Sequence, residues 1–170
     1  MQVQFRGKTV STTEMIKMPE GAWEELATDF HGPLPSGEYL MVTIDEFSRF
    51  LDFTIVKIVK STNADTVIQN WTNMFQLYGY PKQVKSDNGP PFQSYKISEF
   101  LSNHNIKNRK ITPLWLRVNA ICERFMRNLN RVMRNCKASG KDWRVELDVF
   151  LSNYRATPHD STGVAPASAI

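Results

Sequence analysis

Apolar residues recur at helical spacing from Val118 to Cys136, over about five turns of a helix, and form the strongest periodic signal in the chain. A stripe of this length has to be buried against another layer of secondary structure. The pattern therefore excludes an all-β chain and predicts a long core helix. A second helix is predicted from Trp143 to Tyr154, where Asp142 can cap the start and Pro158 ends the pattern.

Two earlier segments have the β-branched and aromatic composition of strands. Tyr39–Asp45 and Phe50–Val59 are separated by a short polar stretch, so they predict an antiparallel hairpin. A shorter strand is predicted from Trp23 to Phe30, because the turn cluster that contains Pro33 and Pro35 follows it.

The middle of the chain changes period. Between Val67 and Tyr78 the apolar residues follow helical spacing, with Thr62 or Asn63 as the N-cap and Gly79 and Pro81 at the end.

The remaining elements complete an alternating order. A strand at Lys82–Ser86, a short helix at Ile97–His104 and a strand at Ile106–Thr112 precede the two long helices. This order predicts an α/β fold with a mixed sheet. Residues 1–20 have no sustained period and are predicted to form an arm or linker before one domain, residues 21–170.

The composition favours one hydrophobic core that needs no disulfide or structural metal. A chain of 170 residues buries roughly two-thirds of its unfolded surface on folding. Cys122 and Cys136 lie about 21 Å apart along one helix, beyond the ~7 Å limit for a disulfide. The two cysteines and His31, His104 and His159 do not have the spacing of a zinc site. No apolar run approaches a membrane span, and the first ten residues lack a signal-peptide core, so we expect a soluble intracellular protein without membrane association.

Positive charge is concentrated in one segment. Lys107–Arg144 contains eleven basic and two acidic residues, a net charge of +9, whereas the rest of the chain carries −5. Such a segment suits a polyanion-binding face, and it equally suits a solvated helix that maintains solubility. The candidate phosphate contacts on the long helix are Asn119, Arg124, Arg127, Arg131, Arg134 and Lys137.

Three acids occupy positions where carboxylates can do chemistry. Asp29 ends the first predicted strand, Asp87 follows the Lys82–Ser86 strand, and Glu123 lies on the basic side of the long helix, roughly 120° from the apolar stripe. Carboxylates are ligands for hard cations such as Mg²⁺. Each acid also has a structural explanation: a strand-end acid, a turn former in Asp-Asn-Gly, and an i,i+4 partner of Arg127.

Four strings in the chain together resemble a known family. TDFHGPLPSGEYLMVTIDEFSRF, YGYPKQVKSDNGPPFQS, ITPLWLRVNAICERF and DSTGVAP are similar to the catalytic core of integrases from gypsy-type long-terminal-repeat retrotransposons and retroviruses. The resemblance runs from Trp23 to about Pro166. The family's D,D-35-E signature implies that Asp29, Asp87 and Glu123 are catalytic and bind Mg²⁺ or Mn²⁺ in a two-metal site. Thirty-five residues separate the last two acids, as in the signature.

The resemblance implies a ribonuclease-H-like fold with a five-stranded mixed sheet flanked by helices. Its first and fourth strands would lie side by side and present the two aspartates, and the long helix would bring up Glu123. It also implies a metal-dependent polynucleotidyl transferase that carries out 3′-end processing and DNA strand transfer, with DNA as partner, a homodimeric state and a nuclear location.

Two departures from the family pattern keep alternatives open. Family members commonly have P-x-x-P-x-x-N-G before the glutamate helix; here Pro113 and Asn119 match, but Leu116 and Ala120 replace the second proline and the glycine. We therefore expect a loop with altered motion beside the site. The family's zinc module would precede Gln2, so the chain is expected to be a fragment, a decayed element or a domesticated protein. The alternatives are an inactive nucleic-acid-binding or partner-binding module with the same fold, and a nuclease related to ribonuclease H.

Overall fold

The structure is a computed structural model that describes residues 21–46, 55–111 and 116–156. Its strands are β1 (Glu25–His31), β2 (Tyr39–Asp45), β3 (Ile55–Val59), β4 (Gln83–Ser86) and β5 (Lys107–Lys110). Its helices are α1 (Ala64–Tyr78), α2 (Tyr95–Asn103), α3 (Leu116–Ser139) and α4 (Trp143–Ala156).

One mixed sheet holds the strands in the order β3-β2-β1-β4-β5. β1, β2 and β3 pair antiparallel, whereas β4 is parallel to β1 and β5 is parallel to β4. The predicted order of elements, the hairpin and the mixed sheet are confirmed. The predicted arm, residues 1–20, and the first part of the second hairpin strand, residues 50–54, lie outside the described residues.

Polar caps define where the first two helices start. The Asn63 side chain accepts a hydrogen bond of 2.8 Å from the Thr66 amide, so Asn63 and not Thr62 is the N-cap of α1. At the other end Gly79, with φ of 94°, donates its N–H to the Phe75 carbonyl. Helix α2 begins two residues earlier than predicted because the Ser94 hydroxyl caps it.

A compact apolar cluster joins one face of the sheet to α1 and α2. Leu26, Met41 and Val84 from three strands pack there with Trp71 of α1 and Leu101 of α2, and all five are buried. This layer is held by continuous hydrophobic burial.

The opposite face carries α3 and α4. Leu40 and Val42 of β2 pack against Phe125 and Leu129 of α3, with Leu151 of α4 in the same cluster. Within the described side chains of the apolar stripe, Phe125, Leu129 and Cys136 are buried as predicted. In the described part of the chain, no helix has the length and apolarity needed to cross a bilayer.

The segment expected to be a loop before the long helix is partly helical. α3 begins at Leu116, two residues before the start at Val118 that the apolar spacing predicts, so Leu116 and Ala120 lie in its first turns and not in a loop. Proline is well tolerated at the first position of a helix, so Leu116 in its place changes little there. Alanine inside the helix is more favourable than the family's glycine by about 1 kcal/mol, so Ala120 stabilises the first turns of α3.

A buried lysine, Lys85, links two carboxylates next to the sheet. The Lys85 side chain is 2% exposed, and its ammonium lies 2.7 Å from Glu25 and also pairs with Glu46. Burial raises the pKa of Glu46, while the hydrogen bond and the charge of Lys85 lower it. Because the register pairs Ala27 with Lys85, this network fastens β1 to β4.

We expect Lys85→Ala to lower the free energy of unfolding by about 3 kcal/mol, because it leaves the partly buried Glu25 and Glu46 carboxylates without their cation. The exposed pair Lys82–Glu24 provides the control, and Lys82→Ala should cost less than about 1 kcal/mol. Urea denaturation measures both. Adding Glu25→Gln and Glu46→Gln to Lys85→Ala should recover part of the loss; no recovery would contradict an electrostatic origin.

Candidate active site

Two aspartates lie side by side at one edge of the sheet. Asp29 is near the carboxyl end of β1, and Asp87 directly follows β4. The parallel register pairs Ala27 with Lys85, and continued by two residues it places Asp29 level with Asp87. Neighbouring strands are about 4.8 Å apart, so the structure brings these two predicted residues together.

The face on which the two acids lie follows from strand alternation. Leu26 of β1 is buried in the cluster with α1 and α2. Residues Glu25, Ala27 and Asp29 therefore point to the opposite side, where α3 and α4 pack. His31 follows on this same side, and burial lowers its pKa.

Backbone amides hold both carboxylates in place. Asp29 Oδ1 accepts a hydrogen bond of 2.8 Å from the Phe30 amide, and Asp87 Oδ1 accepts one of 3.1 Å from the Gly89 amide. A Cβ at position 89 would lie 3.2 Å from Asp87 Oδ2, which is tighter than ordinary packing. Glycine at this position thus permits the carboxylate to fold back over the turn.

The surroundings of Asp29 and Asp87 disfavour ionisation of both carboxyl groups at once. Burial raises the pKa of Asp29, the hydrogen bond from Phe30 lowers it, and the negative charge of Asp87 raises it further. Burial is the larger cause, and repulsion from Asp87 is the smaller of the two effects that raise the pKa. A cation bound between the carboxylates would relieve both.

The third predicted acid is placed only by its backbone. Glu123 and Asn119 lie in α3, but the side chains of residues 116–123 are outside the described part of the structure, so their roles stay predictions. Among the described side chains, no group of three or more His, Cys, Asp or Glu is arranged to hold a metal. At this edge of the sheet, the carboxylates of Asp29 and Asp87 supply oxygen ligands of the type that Mg²⁺ prefers.

Lys110 belongs to this site, although sequence reasoning counted it only as part of the basic segment. It is the last residue of β5, and its register partner on β4 is Ser86. Its ammonium donates to the Phe92 carbonyl at 2.7 Å and to the Ser86 hydroxyl at 3.2 Å. Burial lowers the pKa of Lys110 and the charge of Asp87 raises it. The available signal was a lysine ending the strand next to Asp87.

Helix α3 presents a basic surface on its outer side. A shallow groove is lined by Met126, Arg127, Asn130 and Arg134, while Phe125 faces the core. The predicted phosphate contacts with described side chains are all exposed: Arg124, Arg127, Arg131, Arg134 and Lys137. This arrangement leaves their guanidinium and ammonium groups accessible to a polyanion.

The sequence of the chain matches one protein-family model and is similar to several individual proteins. Residues 17–113 match the family model described as the integrase core domain. A Caenorhabditis elegans protein, "Uncharacterized protein K02A2.6", is 33% identical over 88% of the chain. The "Transposon Tf2-3 polyprotein" of Schizosaccharomyces pombe is 24% identical over 94% of it. The chain spans only 12% of the length of each of these two relatives.

A solved structure has the same architecture. The HTLV-2 integrase catalytic core domain, in complex with magnesium and in trimeric form, superimposes with a TM-score of 0.64. The match covers 86% of this chain and 95% of that one at 20% sequence identity. The predicted ribonuclease-H-like fold is confirmed by this similarity.

Asp87→Asn should lower the pKa of Asp29 without returning it to its ordinary value, because burial, the larger cause, persists. A raised pKa in the folded state means that ionised Asp29 costs stability at neutral pH, and that this cost disappears as the pH falls through its folded pKa. The metal-free variant should therefore be at least as stable as the wild type at pH 7. Carboxyl NMR titration and thermal melts measure the two effects.

The effect of Mn²⁺ on the melting temperature tests whether Asp29 and Asp87 bind one cation or whether Asp87 only shapes a turn. Mn²⁺ should raise the melting temperature of the wild type and raise that of Asp87→Asn much less, because binding to the folded state stabilises it by mass action. Equal shifts in the two proteins would refute a site at these aspartates.

Proposed function

Because this chain belongs to the integrase core domain family, we propose that it is a metal-dependent polynucleotidyl transferase core that acts in DNA integration. The observation that carries the proposal is the parallel pairing of β1 with β4, which sets Asp29 and Asp87 level at one sheet edge. The proposed reactions are 3′-end processing and DNA strand transfer. DNA is the proposed partner, and a homodimer is the proposed assembly.

Asp29, Asp87 and Glu123 are the residues that would hold Mg²⁺ or Mn²⁺. Their oxygen ligands suit these hard cations, and the raised pKa of Asp29 supports a site that is completed by positive charge. A divalent cation bound there would lower the pKa of a nucleophilic hydroxyl or water and offset charge on a phosphodiester.

The residues of the chain itself have separable tasks in this proposal. The Phe30 and Gly89 amides orient the two carboxylates before any substrate arrives. Both aspartates keep solvent-exposed surface, although the protein packed around Asp29 partly desolvates its carboxylate, so a phosphodiester backbone has access to them. Arg127 and Arg134 on α3 would bind phosphates of the same DNA and fix its position relative to the acids.

We expect Asp29→Asn, Asp87→Asn and Glu123→Gln each to reduce DNA nicking or joining by at least about a hundredfold. Each change preserves side-chain size and removes one negative oxygen. The assay follows a labelled linear DNA duplex with Mn²⁺ on denaturing gels, with the chain alone or within its longer protein.

Asp65→Asn is the matched control for this assay. Asp65 is an exposed acid on α1 that pairs with Lys96, and its loss should leave the rate within about twofold. Activity that survives any of the three site substitutions would remove that residue from the proposal. Wild-type protein that binds DNA without cleaving it would favour the inactive binding module.

DNA affinity should depend on the basic surface of α3. Arg127→Gln together with Arg134→Gln should reduce the slope of log affinity against log salt by about two units, one for each lost phosphate contact. Fluorescence anisotropy with an arbitrary duplex measures the slope.

The control removes the same charge elsewhere on the surface. Lys57 and Lys60 are exposed residues at the β3 edge of the sheet, and Lys57→Gln with Lys60→Gln should change the slope by less than about half a unit. Equal slopes for the two double variants would assign Arg127 and Arg134 to a solvated surface.

A further inference from the structure

The loop that carries Asp87 is tied to the sheet by one side chain from the neighbouring strand. Lys110 donates to the Ser86 hydroxyl, immediately before Asp87, and to the Phe92 carbonyl, five residues after it. One ammonium therefore holds both ends of the loop. Ser86 is 2% exposed and Phe92 is 2% exposed, so both anchor points are fixed in the interior.

The far anchor also reaches the other strand of the acid pair. The Phe92 ring stacks on Phe30, with centroids 5.6 Å apart, and on Trp71 of α1, with centroids 6.2 Å apart. Phe30 is the residue whose amide binds the Asp29 carboxylate. The ring contact between Phe92 and Phe30 therefore connects the residue that Lys110 holds to the residue whose amide binds Asp29.

We propose, on the basis of the proposed function, that Lys110 is a positioning residue that fixes the Asp87 carboxylate opposite Asp29 so that both acids bind one divalent cation. It acts through the Ser86–Phe92 loop and does not contact the cation. Partners that orient a metal ligand typically change metal affinity by 10- to 100-fold when they are removed.

The charge of Lys110 and its hold on the loop predict opposite effects on cation affinity when the residue is replaced. A positive charge beside two carboxylates repels a cation, so removing it without moving the loop would strengthen cation binding. Removing the clamp releases Asp87 from its place opposite Asp29 and weakens binding. The direction of the change therefore identifies which role Lys110 has.

The first experiment measures Mn²⁺ affinity by calorimetry on the full chain, below its unfolding temperature. Lys110→Met should weaken binding at least tenfold, and Lys110→Arg, which keeps donors at the end of a long stem, should restore most of it. Lys107→Met removes the same charge from an exposed position on the same strand and should stay within twofold of wild type.

The second experiment needs no metal. In the metal-free chain, amide hydrogen exchange of residues 88–93 should rise at least tenfold in Lys110→Met and stay unchanged over α1. Should this variant fail to fold, Lys110→Gln provides the same two measurements.

The outcomes separate this inference from the proposed function. Mn²⁺ affinity that is unchanged or tighter in Lys110→Met, or loop exchange that does not rise, would overturn the positioning role. Equal Mn²⁺ affinity in Asp87→Asn and wild type would instead refute the metal site of the proposed function, and the exchange measurement would still decide whether Lys110 holds the loop.

Discussion

Backbone hydrogen bonds between β1 and β4 join the antiparallel part of the sheet to its parallel part. Neighbouring parallel strands cannot be joined by a tight turn, so the chain has to cross back to the start of β1 before it forms β4. β2, β3 and α1 fill that return path. Because the carboxyl ends of parallel strands meet at one edge, Asp29 and Asp87 become neighbours although neither residue shapes the sheet.

The two faces of the sheet differ in chemistry, and the difference explains where a polar site has room. The face beneath α1 and α2 buries an apolar cluster from three strands, and its polar residues Thr28 and Thr43 are buried and hydrogen-bonded to each other. On the other face, α3 and α4 bury the apolar residues of β2, such as Leu40 and Val42. The β1 and β4 residues on that face include Glu25, Asp29 and Lys85, so charged groups line the strip beside α3.

Local patterns were enough to predict the elements, since apolar period, caps and turn residues act over a few positions. The apolar stripe on α3 and the cap at Asn63 are examples. What could not be predicted depends on register and burial. Lys85 looks like a surface lysine until the sheet places two carboxylates around it, and Lys110 acquires its role only through pairing with Ser86.

The candidate site was predicted in part for the same reason. Asp29 and Asp87 lie at strand ends, where the topology alone brings them together. Glu123 depends on how the first turns of α3 meet the sheet, which no local pattern encodes. The helix start at Leu116 was missed by two residues, because the apolar spacing that predicts α3 begins only at Val118.

The pairing of β1 with β4 also has a kinetic side. Their paired residues lie 58 positions apart in the chain, as for Glu25 and Gln83, so closing this contact costs loop entropy that local elements do not incur. The β1–β2–β3 meander and α1 can form from nearby residues while the acids are still far apart. During synthesis, a ribosome that has not yet released β4 holds a chain with the β1–β2–β3 meander, α1 and one of the two aspartates. The acidic edge therefore assembles only after the meander, and it is absent from any product that stops before residue 87.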